Sequence, residues 1–305
     1  MSDVRAAGFP AMILAAGYGT RLAPVTDHVP KPLLPVGGRT LLDHAIDAVT
    51  RAGAGPVAVN THHLAGLVAD HLNSRPDAYR FFISHEPEIM GTGGALDGAR
   101  VTLEGHPFFL LHNADVLCDA DLGALVDEHE CTGAEATLLL ADWPEVNSVT
   151  VGADGAILAV GDGPEEDPSP AVGSRRLTYT GIGVFGEEIL ADIGPGFSSL
   201  IDPLVRAMTE CPGSVRGFSP AGFDWHDLGT LGRWLAVQGS EAIQPAGPGT
   251  VEAITGHGSD RRFWRLEVGD WSAVALLSDP ADPEFARGAD IAVFLHEREL
   301  GGAGL

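Results

Sequence analysis

The sequence predicts an α/β protein built on a mostly parallel sheet with helices on both faces, plus a short β-rich C-terminal segment. Short apolar runs alternate with stretches of helical spacing from residue 11 to residue 142. This alternation is typical of βαβ units, whose helices cover the sheet. The chain has 305 residues, of which 45% are hydrophobic and 20% charged. That length suits about two domains, with enough apolar material for a sizeable core.

The first half of the chain contains most of the predicted sheet. Short apolar segments bounded by turn formers predict buried strands at Ala11–Ala15, Pro56–Val59, Arg80–Ser84, Phe108–His112 and Ala136–Asp142. Apolar residues at helical spacing predict helices at Leu41–Ala52, Leu64–Asn73, Thr92–Leu103 and Asp121–Glu130. Because open parallel sheets bind ligands beyond the carboxyl ends of their strands, the loops after these strands form the candidate site.

After residue 142 the pattern changes. Ser148–Val151 and Ile157–Val160 flank a turn and predict a hairpin. A strand at Leu177–Phe185 and two helical stretches follow. We assign residues 9–240 to one domain, the Pro/Gly-rich residues 241–249 to a linker, and residues 250–305 to the β-rich segment.

Composition excludes several classes of partner. The formal net charge of −24 argues against nucleic acid or an anionic membrane. No apolar run approaches the roughly 18 residues of a membrane helix, and we find no basic-then-apolar leader. Cys118, Cys131 and Cys211 lack CxxC spacing, as is typical of thiols in a reducing compartment. We expect a cytoplasmic protein without nucleic-acid or membrane partners. The oligomeric state stays open.

The strongest motif is a glycine-rich loop after the first strand. Small residues there let the backbone approach a ligand and turn its N–H groups toward phosphate oxygens. Arg21 and Lys31 supply two cations, and Lys31 is the only lysine in the chain, which suggests a need for a compact ammonium. The loop matches neither a Walker loop nor a GxGxxG fingerprint. The candidate nucleotide-binding residues of this loop are Leu14, Ala15, Ala16, Gly17, Gly19 and Thr20.

The segment from Leu14 to Leu22, followed by Pro30-Lys31-Pro32-Leu33, resembles the signature of the sugar-1-phosphate nucleotidyltransferases. The resemblance to this family covers residues 9–240. The resemblance implies a Rossmann-like nucleotidyltransferase sheet. It also implies transfer of a nucleotide from a nucleoside triphosphate to a sugar 1-phosphate, with Mg²⁺ as cofactor and pyrophosphate as product. Arg21 would hold the β- and γ-phosphates, and Lys31 the α-phosphate and the sugar phosphate; these two are the candidate catalytic residues.

Further motifs extend the resemblance. Glu86 and Gly91 match positions that read the base, and Thr92 beside them is expected to cap a helix. Asp115 and Asp227 match the Mg²⁺ ligands of the family, and two carboxylates suit a hard cation. Ala114 replaces the usual glycine before Asp115. The positions that match the sugar pocket are Asn113, Thr180 and Gly181.

The sequence predicts the substrates less directly than it predicts the reaction. The chain lacks a second lysine, and hence the Glu-Lys-Pro motif of larger family members. We favour UTP with N-acetylmuramate 1-phosphate, or a related amino sugar, over GTP with mannose 1-phosphate. Met90-Gly91-Thr92 is nearer to the guanylyltransferase pattern, and a carboxylate at Glu86 suits either base.

The last segment differs. Gly256–Leu266 and Ser272–Leu277 resemble the opening hairpin of aminoglycoside-phosphotransferase-like sugar kinases, which in cell-wall recycling supply phosphorylated sugars to nucleotidyltransferases. No kinase catalytic loop follows, so we expect a shortened fusion without kinase activity. Two other functions stay open: a GT-A-type glycosyltransferase, and a non-catalytic nucleotide-sugar-binding regulatory or scaffold subunit.

Overall fold

A computed structural model describes residues 8–23, 25–161, 173–230, 232–234 and 237, and the backbone of four later strands. The chain divides into two compact units. The first comprises Met1–Tyr18, Pro30–Leu33 and Leu41–Asp227, and the second comprises Gly19–Val29, Leu34–Thr40 and Leu228–Leu305.

The first unit is built on a nine-stranded sheet in the order β10-β9-β11-β6-β1-β4-β5, with β8 paired to β11 and β12 paired to β8. The strands are β1 (Phe9–Leu14), β4 (Ala54–Thr61), β5 (Phe81–His85), β6 (Phe108–Asn113), β8 (Ala136–Ala141), β9 (Val149–Val151), β10 (Ile157–Val160), β11 (Arg175–Gly186) and β12 (Val215–Phe218). β1 runs parallel to β4 and β6, and β4 runs parallel to β5. β11 is antiparallel to β6, β8 and β9.

Helices cover both faces of this sheet. They are α1 (Leu41–Arg51), α2 (Ala65–Ser74), α3 (Gly91–Gly98), α4 (Arg100–Leu103), α5 (Leu122–Thr132), α6 (Glu187–Ala191) and α7 (Ile201–Glu210). Alternate β1 residues enter two cores, because successive strand side chains point to opposite faces. Phe9, Ala11 and Ile13 pack with α1, α2 and α5, whereas Met12 packs with α3, α4, α6 and α7. The predicted α/β class is confirmed.

The predicted strands agree with the structure, and one predicted helix does not. The five predicted strands of the first half coincide with β1, β4, β5, β6 and β8, and the predicted hairpin is the antiparallel pair β9–β10. The helix predicted over Thr92–Leu103 is wrong as a single element. It is interrupted at Ala99, whose φ of −98° and ψ of 3° leave the helical region. The Ala99 N–H bonds the carbonyls of both Ala95 and Leu96.

The second unit contains two short antiparallel strands, β2 (Pro35–Val36) and β3 (Arg39–Thr40). Trp234 is fully buried and donates its indole N–H to the Pro35 carbonyl at 3.0 Å. Four later strands form an antiparallel sheet in sequence order: β14 (Thr250–Ile254), β15 (Arg262–Val268), β16 (Trp271–Leu277) and β17 (Ala292–His296).

The predicted linker at 241–249 lies outside the described residues. The domain boundaries and the kinase-like resemblance of the tail stay predictions. Among the helices that the structure describes, none is long and apolar enough to cross a membrane.

Candidate functional site

The loops that follow β1, β4, β5 and β6 meet at one edge of the sheet, because these strands are parallel. The Ala114 N–H donates to the Leu14 carbonyl at 2.9 Å, which joins the loop after β6 to the end of β1. Of the glycine-rich loop in the first unit, Ala15 and Ala16 are buried and Gly17 is exposed. A Cβ at Gly17 would meet nothing within 4 Å, so open space lies beside the backbone there.

Lys31 and Asp115 form an ion pair in this part of the first unit. Lys31 opens a 3₁₀ turn, Lys31–Leu33, that is closed by a 2.8 Å bond from the Leu33 N–H to the Pro30 carbonyl. The lysine side chain is 9% exposed and the aspartate side chain 33% exposed. The ammonium is thus held inside the protein, while the carboxylate that neutralises it keeps an open side.

Strand pairing places Asp227 opposite Val116, the residue that follows Asp115. Asp227 ends β13 (Trp225–Asp227), which pairs antiparallel with β7 (Val116–Cys118). At the other end of this strand pair, the Asp224 N–H donates to an Asp119 carboxylate oxygen at 2.7 Å.

The donor set fits Mg²⁺, which prefers hard oxygen ligands and is commonly held by one or two carboxylates plus substrate phosphates. Asp115 directly precedes β7, and Asp227 ends β13, the strand that pairs with β7. Among the described residues, no group of three or more His, Cys, Asp or Glu side chains forms a metal cage.

Glu86 follows β5 and is 5% exposed. One carboxylate oxygen accepts from the Asn60 amide at 2.7 Å, and the other accepts from the Met90 N–H at 2.9 Å. Asn60 also accepts from the Ala15 N–H at 2.7 Å. The sequence assigned Asn60 no role, because its partners Ala15 and Glu86 lie on other loops that the local sequence does not relate to it.

Gly91 and Thr92 begin α3, against the segment before α7. Gly91 has a φ of +73°, and a Cβ there would overlap the Ser198 carbonyl oxygen, so only glycine fits. The prediction that Thr92 caps the helix is wrong: the N-cap is Met90, with no side-chain cap bond. The Thr92 hydroxyl instead accepts from the Leu200 N–H at 2.8 Å.

Asn113 lies directly over Gly181, where β11 bulges between Tyr179 and Gly183. Gly181 has a φ of +81°, and a Cβ there would lie 2.8 Å from Asn113 Cγ. The Thr180 hydroxyl donates to the Leu139 carbonyl at 2.9 Å, within the sheet. The structure thus brings together the three residues predicted for the sugar, and the Thr180 hydroxyl already has a partner.

Two tryptophans extend this side of the first unit. The Trp225 indole N–H donates to the Thr180 carbonyl at 2.9 Å. Trp143 packs edge-to-face on Trp225, with ring centroids 5.1 Å apart. Trp143 was missed in the sequence because it stands alone in the loop after β8.

His112 lies on β6, directly before Asn113, and is 1% exposed. Burial lowers its pKa to about 4 from the usual 6.5, so the ring is neutral near pH 7. Its Nδ1 is 2.8 Å from the Asn113 carbonyl and must carry the proton, because a carbonyl only accepts. His112 therefore contributes an N–H donor and no charge.

The remaining candidates lie in the second unit. Gly19 has a φ of +65° and precedes a 3₁₀ turn over Thr20–Leu22. The Thr26 hydroxyl donates to the Gly19 carbonyl at 2.9 Å. Arg21 is exposed. The roles predicted for Gly19, Thr20 and Arg21 stay predictions.

Comparison with known proteins gives consistent matches. The Nucleotidyl transferase family matches residues 10–244. N-acetylmuramate alpha-1-phosphate uridylyltransferase of Neisseria meningitidis serogroup B is 33% identical over 238 residues, covering 75% of this chain and 96% of that protein. The N-acetylmuramate alpha-1-phosphate uridylyltransferase of Caulobacter vibrioides is 34% identical over 242 residues, covering 75% of this chain and 95% of that protein. Mannose-1-phosphate guanyltransferase beta-A of Xenopus laevis is 29% identical over 256 residues, covering 79% and 69%.

Solved structures share the fold at lower identity. UDP-glucose pyrophosphorylase complexed with UDP-glucose aligns with a TM-score of 0.59 and 19% identity, covering 76% of this chain and 97% of that one. HddC from Yersinia pseudotuberculosis complexed with GMP-PN aligns with a TM-score of 0.60 and 19% identity, covering 74% and 96%.

Proposed function

Because the chain belongs to the nucleotidyl transferase family, as a sugar-1-phosphate nucleotidyltransferase, we propose that it joins UTP to N-acetylmuramate 1-phosphate and releases pyrophosphate. The observation that carries this proposal is the Lys31–Asp115 pair beside the loop after β1. It places an ammonium and a hard oxygen ligand at one point, which is what a nucleotide phosphate with a metal ion requires.

Lys31 serves the reaction through charge. Its buried ammonium offers a positive centre at a fixed place, and a fixed charge needs no reorganisation as negative charge shifts during transfer. The attacking oxygen belongs to a sugar phosphate that is already an anion near pH 7, so no residue has to act as general base. Arg21 takes the departing pyrophosphate by the family resemblance.

Asp115 and Asp227 would hold Mg²⁺, which when bound neutralises phosphate charge and orients the phosphate oxygens. The chain's own task there is to hold one carboxylate just before β7 and the other at the end of β13, the strand that pairs with β7. Lys31 keeps Asp115 paired, which limits the repulsion between two neighbouring carboxylates.

The base is proposed to meet Glu86 and Gly91. Each Glu86 oxygen accepts one bond from the chain and keeps a further lone pair that can accept an N–H from the base. The N3–H of uracil provides one. GTP with mannose 1-phosphate is the second candidate, favoured by Met90-Gly91-Thr92 and by the guanyltransferase relative. UTP is preferred because the two uridylyltransferase relatives are matched over 96% and 95% of their length.

The test is pyrophosphate release over a grid of UTP, GTP and dTTP against N-acetylmuramate, N-acetylglucosamine, glucose and mannose 1-phosphates, with and without Mg²⁺. We expect the highest kcat/KM for UTP with N-acetylmuramate 1-phosphate, and no turnover without metal. Faster release from GTP with mannose 1-phosphate would establish the second candidate. Consumption of a nucleotide sugar without pyrophosphate would indicate a glycosyltransferase, and nucleotide binding without turnover would indicate a regulatory subunit.

A further inference from the structure

Glu86 is fixed by its backbone as well as by its carboxylate. Its N–H donates to the Thr61 carbonyl at 2.8 Å, and its carbonyl lies 2.8 Å from His62 Nδ1. Together with the bonds from Asn60 and Met90, every polar group of this buried residue has a partner. Three of those partners, Asn60, Thr61 and His62, are consecutive residues at the end of β4.

The Asn60 side chain contacts two loops. It is 4% exposed, and its side-chain oxygen accepts from the Ala15 N–H. A peptide N–H only donates, so the oxygen of the amide must face Ala15 and its NH₂ group must face Glu86. The orientation of the amide is therefore set by the glycine-rich loop, and the amide in turn sets the position of the Glu86 carboxylate.

We propose that Asn60 is a positioning residue that couples the glycine-rich loop to the base-facing carboxylate of Glu86. The inference rests on the proposed function, since Glu86 reads the base only in that reaction. A shift of the Ala15 N–H would therefore move the amide that holds Glu86. The phosphate end and the base end of the nucleotide site are thereby linked through one buried side chain.

A second contact supports the same linkage. His62 Nδ1 must carry a proton to bond the Glu86 carbonyl, and His62 Nε2 lies 2.9 Å from the Tyr18 hydroxyl. Tyr18 packs edge-to-face on this ring, with centroids 4.9 Å apart. The end of β4 thus contacts the glycine-rich loop twice, at Ala15 and at Tyr18, and it contacts Glu86 through the same residues.

Asn60→Asp tests the linkage because it replaces the NH₂ donor by an acceptor. The introduced carboxyl can still accept from Ala15, but it bonds Glu86 only while the two carboxyls share a proton. Relative to the parent at each pH, we expect kcat/KM for UTP to fall at least about tenfold from about pH 5.5 to about pH 8. The KM for the sugar phosphate should stay unchanged. Dividing by the parent removes the titration of the substrates and of every group that the two proteins share.

The double variant Asn60→Asp with Glu86→Gln reverses the polarity of the contact. The glutamine NH₂ then donates to the introduced carboxylate, and its oxygen still accepts from the Met90 N–H. This hydrogen bond no longer depends on a shared proton, so we expect the ratio of the double variant's kcat/KM to the parent's to be constant with pH, at the level that the Glu86→Gln change itself sets. Asn73→Asp, at an exposed position on α2, is the matched control and should follow the parent.

Thermal unfolding gives a readout that does not depend on turnover. A carboxyl whose pKa is raised by its neighbour stabilises the fold below its ordinary pKa near 4, and that contribution is lost as pH rises through the raised value. The Tm of the single variant should therefore fall relative to the parent as pH rises, and the double variant should recover it. A constant Tm difference, or no rescue, would overturn the linkage. Absence of pyrophosphate release from the parent would instead overturn the proposed function.

Discussion

Lys31 and Asp115 are 84 positions apart in the chain and form an ion pair in the first unit. The lysine reaches the pair from the 3₁₀ turn that it opens, and the aspartate follows Ala114, whose N–H bonds the end of β1. Because the ammonium is the more buried partner, it depends on the carboxylate for neutralisation. Under the proposed function, a substrate phosphate would replace Asp115 as the partner of Lys31 and would leave that carboxylate to a metal ion.

Lys31→Ala is expected to lower turnover at least about a hundredfold, through lost stabilisation of charge in the transition state. Lys31→Arg should restore little, because the planar guanidinium does not reproduce a compact ammonium in a buried position. Steady-state pyrophosphate release measures both, with circular dichroism to confirm that each variant folds. Near-parental turnover of Lys31→Ala would remove Lys31 from the mechanism.

Asp115→Asn and Asp227→Asn should each raise the Mg²⁺ concentration at half-maximal activity, because an amide oxygen is a weaker ligand for a hard cation than a carboxylate. Magnesium titrations at saturating substrates measure the midpoints. Asp70→Asn, at an exposed position on α2, is the control and should keep the parental midpoint. If Asp115→Asn or Asp227→Asn also keeps the parental midpoint, the two-aspartate magnesium site is wrong.

Local pattern predicted the strands and the glycine-rich loop because side-chain periodicity and small residues at a strand end are properties of neighbouring residues. The hydrogen-bond partners of the site residues depend on which strands pair and in which register, and local sequence patterns do not reveal that. Thr92 was expected to serve its own helix, yet its hydroxyl binds Leu200, 108 positions away. The contact between Trp143 and Trp225 joins loops that no local pattern relates. The break at Ala99 also escaped notice, since apolar spacing continues across it.

Gly181→Ala should impair activity with the sugar phosphate more than it impairs folding. The added methyl group would collide with the Asn113 side chain, which lies at the position predicted for the sugar. Gly105→Ala is a matched control, because Gly105 has a φ of +79° against +81° for Gly181 but nothing within 4 Å of a Cβ. Both variants carry the backbone strain of a positive φ, roughly 1 kcal/mol, and only Gly181→Ala should raise the KM for the sugar phosphate. An equal KM in the two variants would contradict a role for Asn113 and Gly181.

His129 on α5 should contribute to acid instability. It is 5% exposed, bonds the Thr137 hydroxyl at 3.1 Å, and burial lowers its pKa to about 4 from 6.5. The unfolded chain binds a proton below about pH 6.5 while the native ring stays neutral, so stability falls as pH falls from about 6.5 to about 4. A pKa lowered that far corresponds to about 3 kcal/mol at most.

His129→Gln should therefore show a shallower loss of unfolding free energy over this pH interval than the parent, as measured by urea denaturation at several pH values. Thr137→Val is the control, because it removes the hydrogen bond but keeps the titrating ring. It should lower stability by a similar amount at every pH. Parallel pH profiles for parent and His129→Gln would show that His129 is not kept neutral by burial, and would leave His112, whose pKa burial also lowers to about 4, as the group to test next.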